Sequence, residues 1–164
     1  MKTNEFTENW HIKDTNKHGR GVFASREILK DEVIDILNGR VVDLRELAYW
    51  QTESHYYWLQ IGKLAWLVPT PPGEFLNHSC MPNAAVIDLL KLVSIRDIAQ
   101  DEEIVIDYDT IDWDEHADPI ECRCGTPSCR KITRGYKFLP ESVKASYKQM
   151  GIIPEYIYEL EKER

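Results

Sequence analysis

The sequence predicts one mainly β domain of small sheets with short helices, finishing in a pair of C-terminal helices. Three observations carry that reading. Apolar residues rich in Val and Ile come in short runs broken by turn residues, the spacing of small sheets. Helix punctuation, a Pro at the start and a Gly at the stop, is clearest beyond Pro140. Between the two regions lies a loop-like stretch holding three of the chain's four cysteines. At 164 residues the chain can bury a core without disulfides to substitute for one.

The elements follow in order. Trp10 to Lys13, Val22 to Ala24 and Val33 to Leu37 are strand runs parted by the polar turn DTNKHGRG and a Lys-Asp turn, so the first part reads as a meander. DLRELAYWQTES places Leu44, Leu47 and Ala48 on one side of a short helix over 43–54, with Asp43 as its N-cap. YYWLQI and LAWLV form a hairpin around Gly62-Lys63, ended by Pro69, Pro71, Pro72 and Gly73. After FLNHSCMPNA, the stretches VIDLLKLVSIRDI and EEIVIDYD are strand-like, joined by AQDE. Regular patterning stops from Thr110 to Arg134, which implies a loop held by something other than a core. PESVKASYKQMG and PEYIYELEKER are the two closing helices, and the Glu/Lys run of the second is a solvated face. No internal repeat and no low-complexity linker stands out.

Composition narrows the function classes. A formal net charge of −8 and a pI near 5.1 exclude a non-specific nucleic-acid binder, which needs a basic footprint. Acidity suits a basic protein partner and equally well serves only solubility. The sequence shows no run of the roughly 18 apolar residues a membrane span requires and no secretory signal at its start, so no membrane association is expected. The expectation is an intracellular protein, cytoplasmic or nuclear and not secreted. In a reducing compartment disulfides are rare, and metal ligation becomes the better use of cysteine.

CRCGTPSC is the strongest physical signal. Cys122, Cys124 and Cys129 lie in one loop turned by Gly125 and Pro127, so three thiolates can converge. A closed zinc site takes four tetrahedral ligands. Among the cysteines only Cys80 remains for the fourth, with His78 and His116 as weaker candidates. A second, weaker signal is Gly19-Arg20-Gly21, a tight turn whose missing side chains let backbone approach a ligand. The same pattern often serves backbone geometry alone.

In this order the residues resemble the SET-domain protein-lysine methyltransferases with their post-SET extension. GRGVFASREILKDEVI is similar to the family's first motif, FLNHSCMPNA to its RFINHSCxPN segment, EEIVIDYD to GEELTxDY, and CRCGTPSCRK to CxCx4C. The resemblance covers residues 10–132. It implies a SET domain over 1–115, a post-SET zinc loop over 116–134 and a C-terminal helical extension over 135–164. It also implies a β-clip fold of small curved sheets with a pseudoknot around FLNHSC.

Gly19, Arg20, Gly21, Asn77 and His78 would hold S-adenosylmethionine, Asn77 at its amino-acid end and the His78 backbone at its adenine. Tyr108 would be the active-site tyrosine, and Cys80 the fourth ligand of a structural zinc with Cys122, Cys124 and Cys129. The implied activity is lysine N-methylation of a basic protein such as a histone.

Methyl transfer from a sulfonium is an in-line displacement by an uncharged amine, so positioning and desolvation supply much of the chemistry. With a reference pKa of about 10, a tyrosine hydroxyl orients rather than deprotonates. Four departures from the family bear on this site. Leu37 stands where the family carries a tyrosine, Ile106 where it often carries an aromatic residue, Glu74 where it carries an arginine, and PTPPGEF where glycine and polar residues are usual. Leu37 and Glu74 motivate the competing reading, a non-catalytic zinc-stapled interaction module. Methylation of a small amine or free amino acid is a third.

Tyr56, Tyr57, Trp58 and Trp66 read mainly as aromatic core, with one or two available to a lysine channel. Trp113 is expected either over the ligands or packed under the zinc loop. Asp107 is expected to hydrogen-bond backbone near the active face. His11, His18 and His55 read as surface or strand residues.

Overall fold

The computed structural model describes residues 6, 8–15, 19–43, 45, 58–113 and 119–163. Its first strands are β1 (Trp10–Thr15), β2 (Gly19–Ala24), β3 (Val33–Ile36) and β4 (Gly39–Asp43). β5 (Leu59–Gln60), β6 (Ala65–Pro69), β7 (Asn77–His78) and β8 (Ala84–Ile87) follow. β9 (Lys91–Ser94), β10 (Glu103–Ile106), β11 (Ile120–Glu121) and β12 (Ile132–Thr133) complete the strands among the described residues, and α1 (Glu141–Met150) and α2 (Glu155–Lys162) follow.

The strands form a four-stranded sheet β1-β2-β10-β7, three-stranded sheets β3-β9-β8 and β4-β6-β5, and the ribbon β11-β12. This is the mainly β architecture of small sheets that the sequence predicts. One pairing matters for the site. β7 runs parallel to β10, Asn77 opposite Val105 and His78 opposite Ile106, which brings FLNHSC beside the segment that leads into Tyr108.

Apolar burial accounts for the body. Val22, Ile28, Ile34, Leu92, Ile98, Ile104 and Ile106 are fully buried in one cluster drawn from several sheets. Complete burial of such a side chain is favourable by about 1.5–3 kcal/mol. A second cluster sits under the C-terminal helices, where Tyr136, Leu139, Tyr147, Ile152, Ile153 and Ile157 pack with Trp113 and with Ala85 of β8. Trp58 and Trp66 form a third with Val42, the core role expected of them. The helices end as their residues dictate: Pro140 and Pro154 precede α1 and α2, and Gly151 takes the left-handed conformation at the end of α1.

Three local readings change. VIDLLKLVSIRDI is not one strand but the hairpin β8-β9, broken at Asp88–Leu90, where Leu90 adopts φ 58°. The Thr110–Arg134 stretch contains the small ribbon β11-β12. The expected helix over 43–54 lies almost wholly outside the described residues, as do Tyr56, Tyr57, His18, His55 and His116; Asp43 itself is a strand residue whose carboxylate accepts from the Arg45 backbone N–H.

An internal repeat, unnoticed in the sequence, also emerges. Arg26-Glu27-Ile28-Leu29-Lys30-Asp31-Glu32 and Arg96-Asp97-Ile98-Ala99-Gln100-Asp101-Glu102 fold alike. In each, the arginine pairs with the final glutamate, and that glutamate accepts from the N–H of Leu29 or Ala99. Asp31 and Asp101 both have positive φ. The two turns face each other through reciprocal bonds between Ile28 and Ile98 of 2.9 and 2.8 Å. Matching bonds tie Ala24 to Glu102 and Ser94 to Glu32. Only Ile28 and Ile98 of each unit must be apolar, so the repeat falls below the level at which hydrophobic periodicity shows it.

Candidate active site and metal centre

The first part of the site is made by the β2 turn and β7. Gly19 lies at φ 76° with open space where a Cβ would be, and Gly21 is crowded: a Cβ there would stand 2.5 Å from Glu103 Oε1 and 3.0 Å from Asn77 Nδ2. Absence of a side chain at Gly21 therefore lets these two polar groups close over the strand. Asn77 Nδ2 donates to the Arg20 carbonyl at 3.1 Å and to Glu103 Oε1 at 2.7 Å. With both amide protons so used, its oxygen is what Asn77 presents to a ligand. The Arg20 guanidinium stacks on Phe75, 4.1 Å from the ring centroid, so the contribution of Arg20 to this turn is its carbonyl. Asn77, His78, Glu103, Thr15 and Cys124 share a cleft of about 490 Å³, within the range of pockets that enclose small organic ligands.

The next residues connect this cleft to Tyr108. His78 Nδ1 lies 3.2 Å from the Tyr108 backbone nitrogen and 3.5 Å from Asp107 Oδ1, and Nε2 lies 3.3 Å from Cys80 Sγ. One imidazole thus bridges the segment before Tyr108 and a cysteine sulfur. The Tyr108 hydroxyl donates to the Leu76 carbonyl at 2.7 Å. Its proton is committed there, so what it offers an incoming amine is an acceptor oxygen.

Cys80, Cys122, Cys124 and Cys129 converge with all four sulfurs within 4.8 Å of one another, a group able to hold a metal ion. Cys122 Sγ is 3.6 Å from both Cys80 Sγ and Cys129 Sγ. A tetrahedron with zinc-sulfur bonds of about 2.3 Å has edges of roughly 3.8 Å, so this spacing fits zinc. Burial pushes the Cys80 and Cys122 thiols up. At Cys124 the Thr126 hydroxyl and backbone amides outweigh burial and draw the thiol down to about 5. His78, weighed as a ligand, instead stands behind Cys80 as a hydrogen-bond partner.

Beneath Tyr108 lies a charged knot that sequence reasoning missed. Asp107, buried at 1% exposure, accepts from Arg130 at 2.6 and 2.8 Å and from the Tyr147 hydroxyl at 2.8 Å. Arg130 also reaches Asp109 at 2.8 Å, and Asp109 accepts the backbone N–H groups of Arg134 and Gly135. Burial is the largest influence on Asp107 and pushes it up to about 6 against the opposing Arg130 charge. The same burial, with the Asp107 charge added, pushes the Tyr147 hydroxyl well up, so it remains a donor.

Two signals for the knot were present in the sequence: the acids flanking Tyr108 after an apolar strand, and the arginine directly after Cys129. Tyr147 carried none, because an aromatic residue on an amphipathic helix reads as core. Asp107 does accept a backbone N–H, that of Asp109, but its principal partners are these side chains. Trp113 packs in the second cluster, stacked 6.1 Å from Tyr136 between centroids. Leu37 and Ile106 are both buried in the first.

This combination of small sheets, a glycine turn and the β7-β10 pairing defines a SET-type domain. The chain matches the SET domain family over residues 19–109, more than half of its length, and it belongs to that family. It is 32% identical over 129 residues to the Neurospora crassa "Histone-lysine N-methyltransferase, H3 lysine-4 specific", a match covering 69% of this chain and 10% of that protein. It is 31% identical over 144 residues to the "Variant-silencing SET domain-containing protein" of Plasmodium falciparum, covering 76% and 6%. The chain therefore spans a tenth or less of the length of these two relatives.

Among solved structures, the methyltransferase domain of human histone-lysine N-methyltransferase SETMAR superposes with a TM-score of 0.63 at 22% identity, over 77% of this chain and 58% of that one. KRYPTONITE, solved with mCHH DNA, an H3(1-15) peptide and SAH, gives 0.59 at 21%, over 76% and 29%. Both show the shared fold. Among the described residues no helix is long and apolar enough to cross a membrane.

Proposed function

We propose that this domain transfers a methyl group from S-adenosylmethionine to a lysine side chain of a basic protein, with a structural zinc on Cys80, Cys122, Cys124 and Cys129. The observation that carries the reading is the continuity of the site. A cleft bearing Asn77 and Glu103 adjoins His78, whose ring holds the Tyr108 backbone on one side and faces a zinc-ligand sulfur on the other. The relatives named as histone-lysine N-methyltransferases support it.

S-adenosylmethionine supplies an electrophilic methyl on a sulfonium. Gly19 would leave it room beside the turn, Gly21 would let Asn77 and Glu103 close over the strand to meet it, and the Asn77 oxygen would accept from its ammonium while Glu103 fixes the amide's orientation and adds complementary charge. Tyr108, its own proton held by Leu76, accepts an N–H of the neutral lysine and turns the nitrogen lone pair toward the methyl. That lysine must arrive uncharged, which desolvation and the neighbouring sulfonium both favour. The four thiolates with zinc would fix the 119–135 segment against β7. The proposed division is a SET domain over 1–115, the zinc loop over 116–134 and the helical extension over 135–164, acting within the cell and without direct nucleic-acid binding.

The test is labelled methyl transfer by zinc-replete protein into a panel of basic proteins and a cell lysate, with the modified residue mapped. Lysine labelling is expected, and Tyr108→Phe should lower kcat by about 10- to 100-fold, the range for loss of a positioned transition-state contact. No labelling in any substrate, or full activity in Tyr108→Phe, would reject the mechanism. Label found on a small amine instead of a protein would redirect the substrate assignment.

A further inference from the structure

The C-terminal helices lie beyond the region that matches the family, residues 19–109. The C-terminal extension nevertheless meets the Tyr108 segment at several points. The Tyr136 and Lys137 backbone N–H groups donate to Asp112 and Trp113 carbonyls at 2.6 and 2.9 Å. From α2, the Tyr156 hydroxyl reaches the Gln60 and Ile111 carbonyls. The deepest contact is that of Tyr147, buried on α1, with the Asp107 carboxylate.

Asp107 is the residue before Tyr108, and the Asp107 carbonyl also accepts the Thr110 hydroxyl at 2.7 Å in the turn that carries Tyr108. Its carboxylate holds Arg130, whose backbone N–H lies 3.3 Å from Cys80 Sγ and whose chain neighbour is Cys129. A single carboxylate therefore receives donors from the zinc loop, from the C-terminal helix and from the Asp109 backbone of its own turn, with His78 Nδ1 3.5 Å away. A buried carboxylate held by several fixed donors cannot shift toward one without losing another.

We infer that Tyr147 is a positioning residue: through Asp107 its hydroxyl sets the Tyr108 turn and locks the zinc loop to it, making the C-terminal extension part of the active face. Its effect on catalysis rests on the methyltransferase reading; its effect on the turn and loop does not.

Tyr147→Phe keeps the ring and removes one oxygen, so it tests the hydroxyl rather than the helix. In the zinc-loaded full chain, amide hydrogen exchange should accelerate at least threefold at Asp109, Thr110 and Gly135. In the transfer assay kcat should fall about tenfold, ~1.4 kcal/mol in barrier, with cofactor Kd within twofold of wild type. Asp107→Asn, which keeps the shape and loses the charge, should accelerate exchange at the same amides at least as much, and it keeps the proposal testable if Tyr147→Phe does not fold. Unchanged exchange in the folded variants overturns the inference, and so does unchanged kcat where the wild type is active. If wild type transfers no methyl at all, the functional reading fails by itself and exchange still decides the role of Tyr147.

Discussion

The sheet body and the C-terminal third of the molecule are held together by different physics. In the body, Val22, Ile34, Ile98 and Ile104 disappear completely from solvent, and the two Arg-to-Glu turns clasp each other through matched backbone bonds. Much of that arrangement is apolar, short-ranged and repeated. The C-terminal third has an aromatic cluster of its own, but its attachment at the active face relies on discrete polar anchors: four sulfurs, Arg130 between two aspartates, and the Tyr147 hydroxyl. A body of the first kind tolerates small losses one at a time. An attachment of the second kind loosens when a single anchor is removed, because a buried polar group left alone costs about 1–3 kcal/mol, more when it is charged.

The largest contrast should come from Cys122→Ser. Structural zinc sites in small domains carry roughly 10 kcal/mol or more of apparent binding energy, so this variant should lose stoichiometric zinc by metal analysis. It should also lose exchange protection over 119–135 while the β1-β2-β10 amides stay protected. Equal loss in both regions would show that the division is wrong.

Ile104→Ala is the converse. A fully buried isoleucine reduced to alanine should cost about 2–5 kcal/mol, seen as a lower Tm, with zinc per folded chain unchanged. At the junction of cleft and strand, Gly21→Ala should raise cofactor Kd at least tenfold by calorimetry, about 1.4 kcal/mol, because the new Cβ displaces Glu103 and Asn77. Unaltered affinity would remove the β2 turn from the cofactor site.

The smallest effects belong to the repeated turns. Arg26→Ala and Arg96→Ala break partly exposed ion pairs worth about 1 kcal/mol or less each, and in chemical denaturation Arg26→Ala should cost more, because it also strips the buried Asn9 oxygen of two donors. A larger loss in Arg96→Ala than in Arg26→Ala would mean the two turns only look alike.

The sequence made the architecture legible where one rule governs one segment. Val/Ile runs gave short strands, Pro140 and Gly151 bracketed α1, and the spacing in CRCGTPSC put three thiols in one loop. In each case the informative residues are neighbours, so local chemistry decides the outcome. The repeat at Arg26 and Arg96 was written in the sequence too, yet its partners are polar and hydrophobic patterning is blind to them.

What only the tertiary structure decided are the meetings of distant residues. That Asn77 gives both amide protons to Arg20 and Glu103, and that His78 stands behind Cys80, depends on the parallel placement of β7 against β10. That Asp107 serves Arg130 and Tyr147 at once depends on three segments folding over one another. Periodicity and spacing report which face a residue occupies. They carry no information on which polar groups from remote segments will share that face, because that is fixed by the packing of whole elements and the need to satisfy every buried charge.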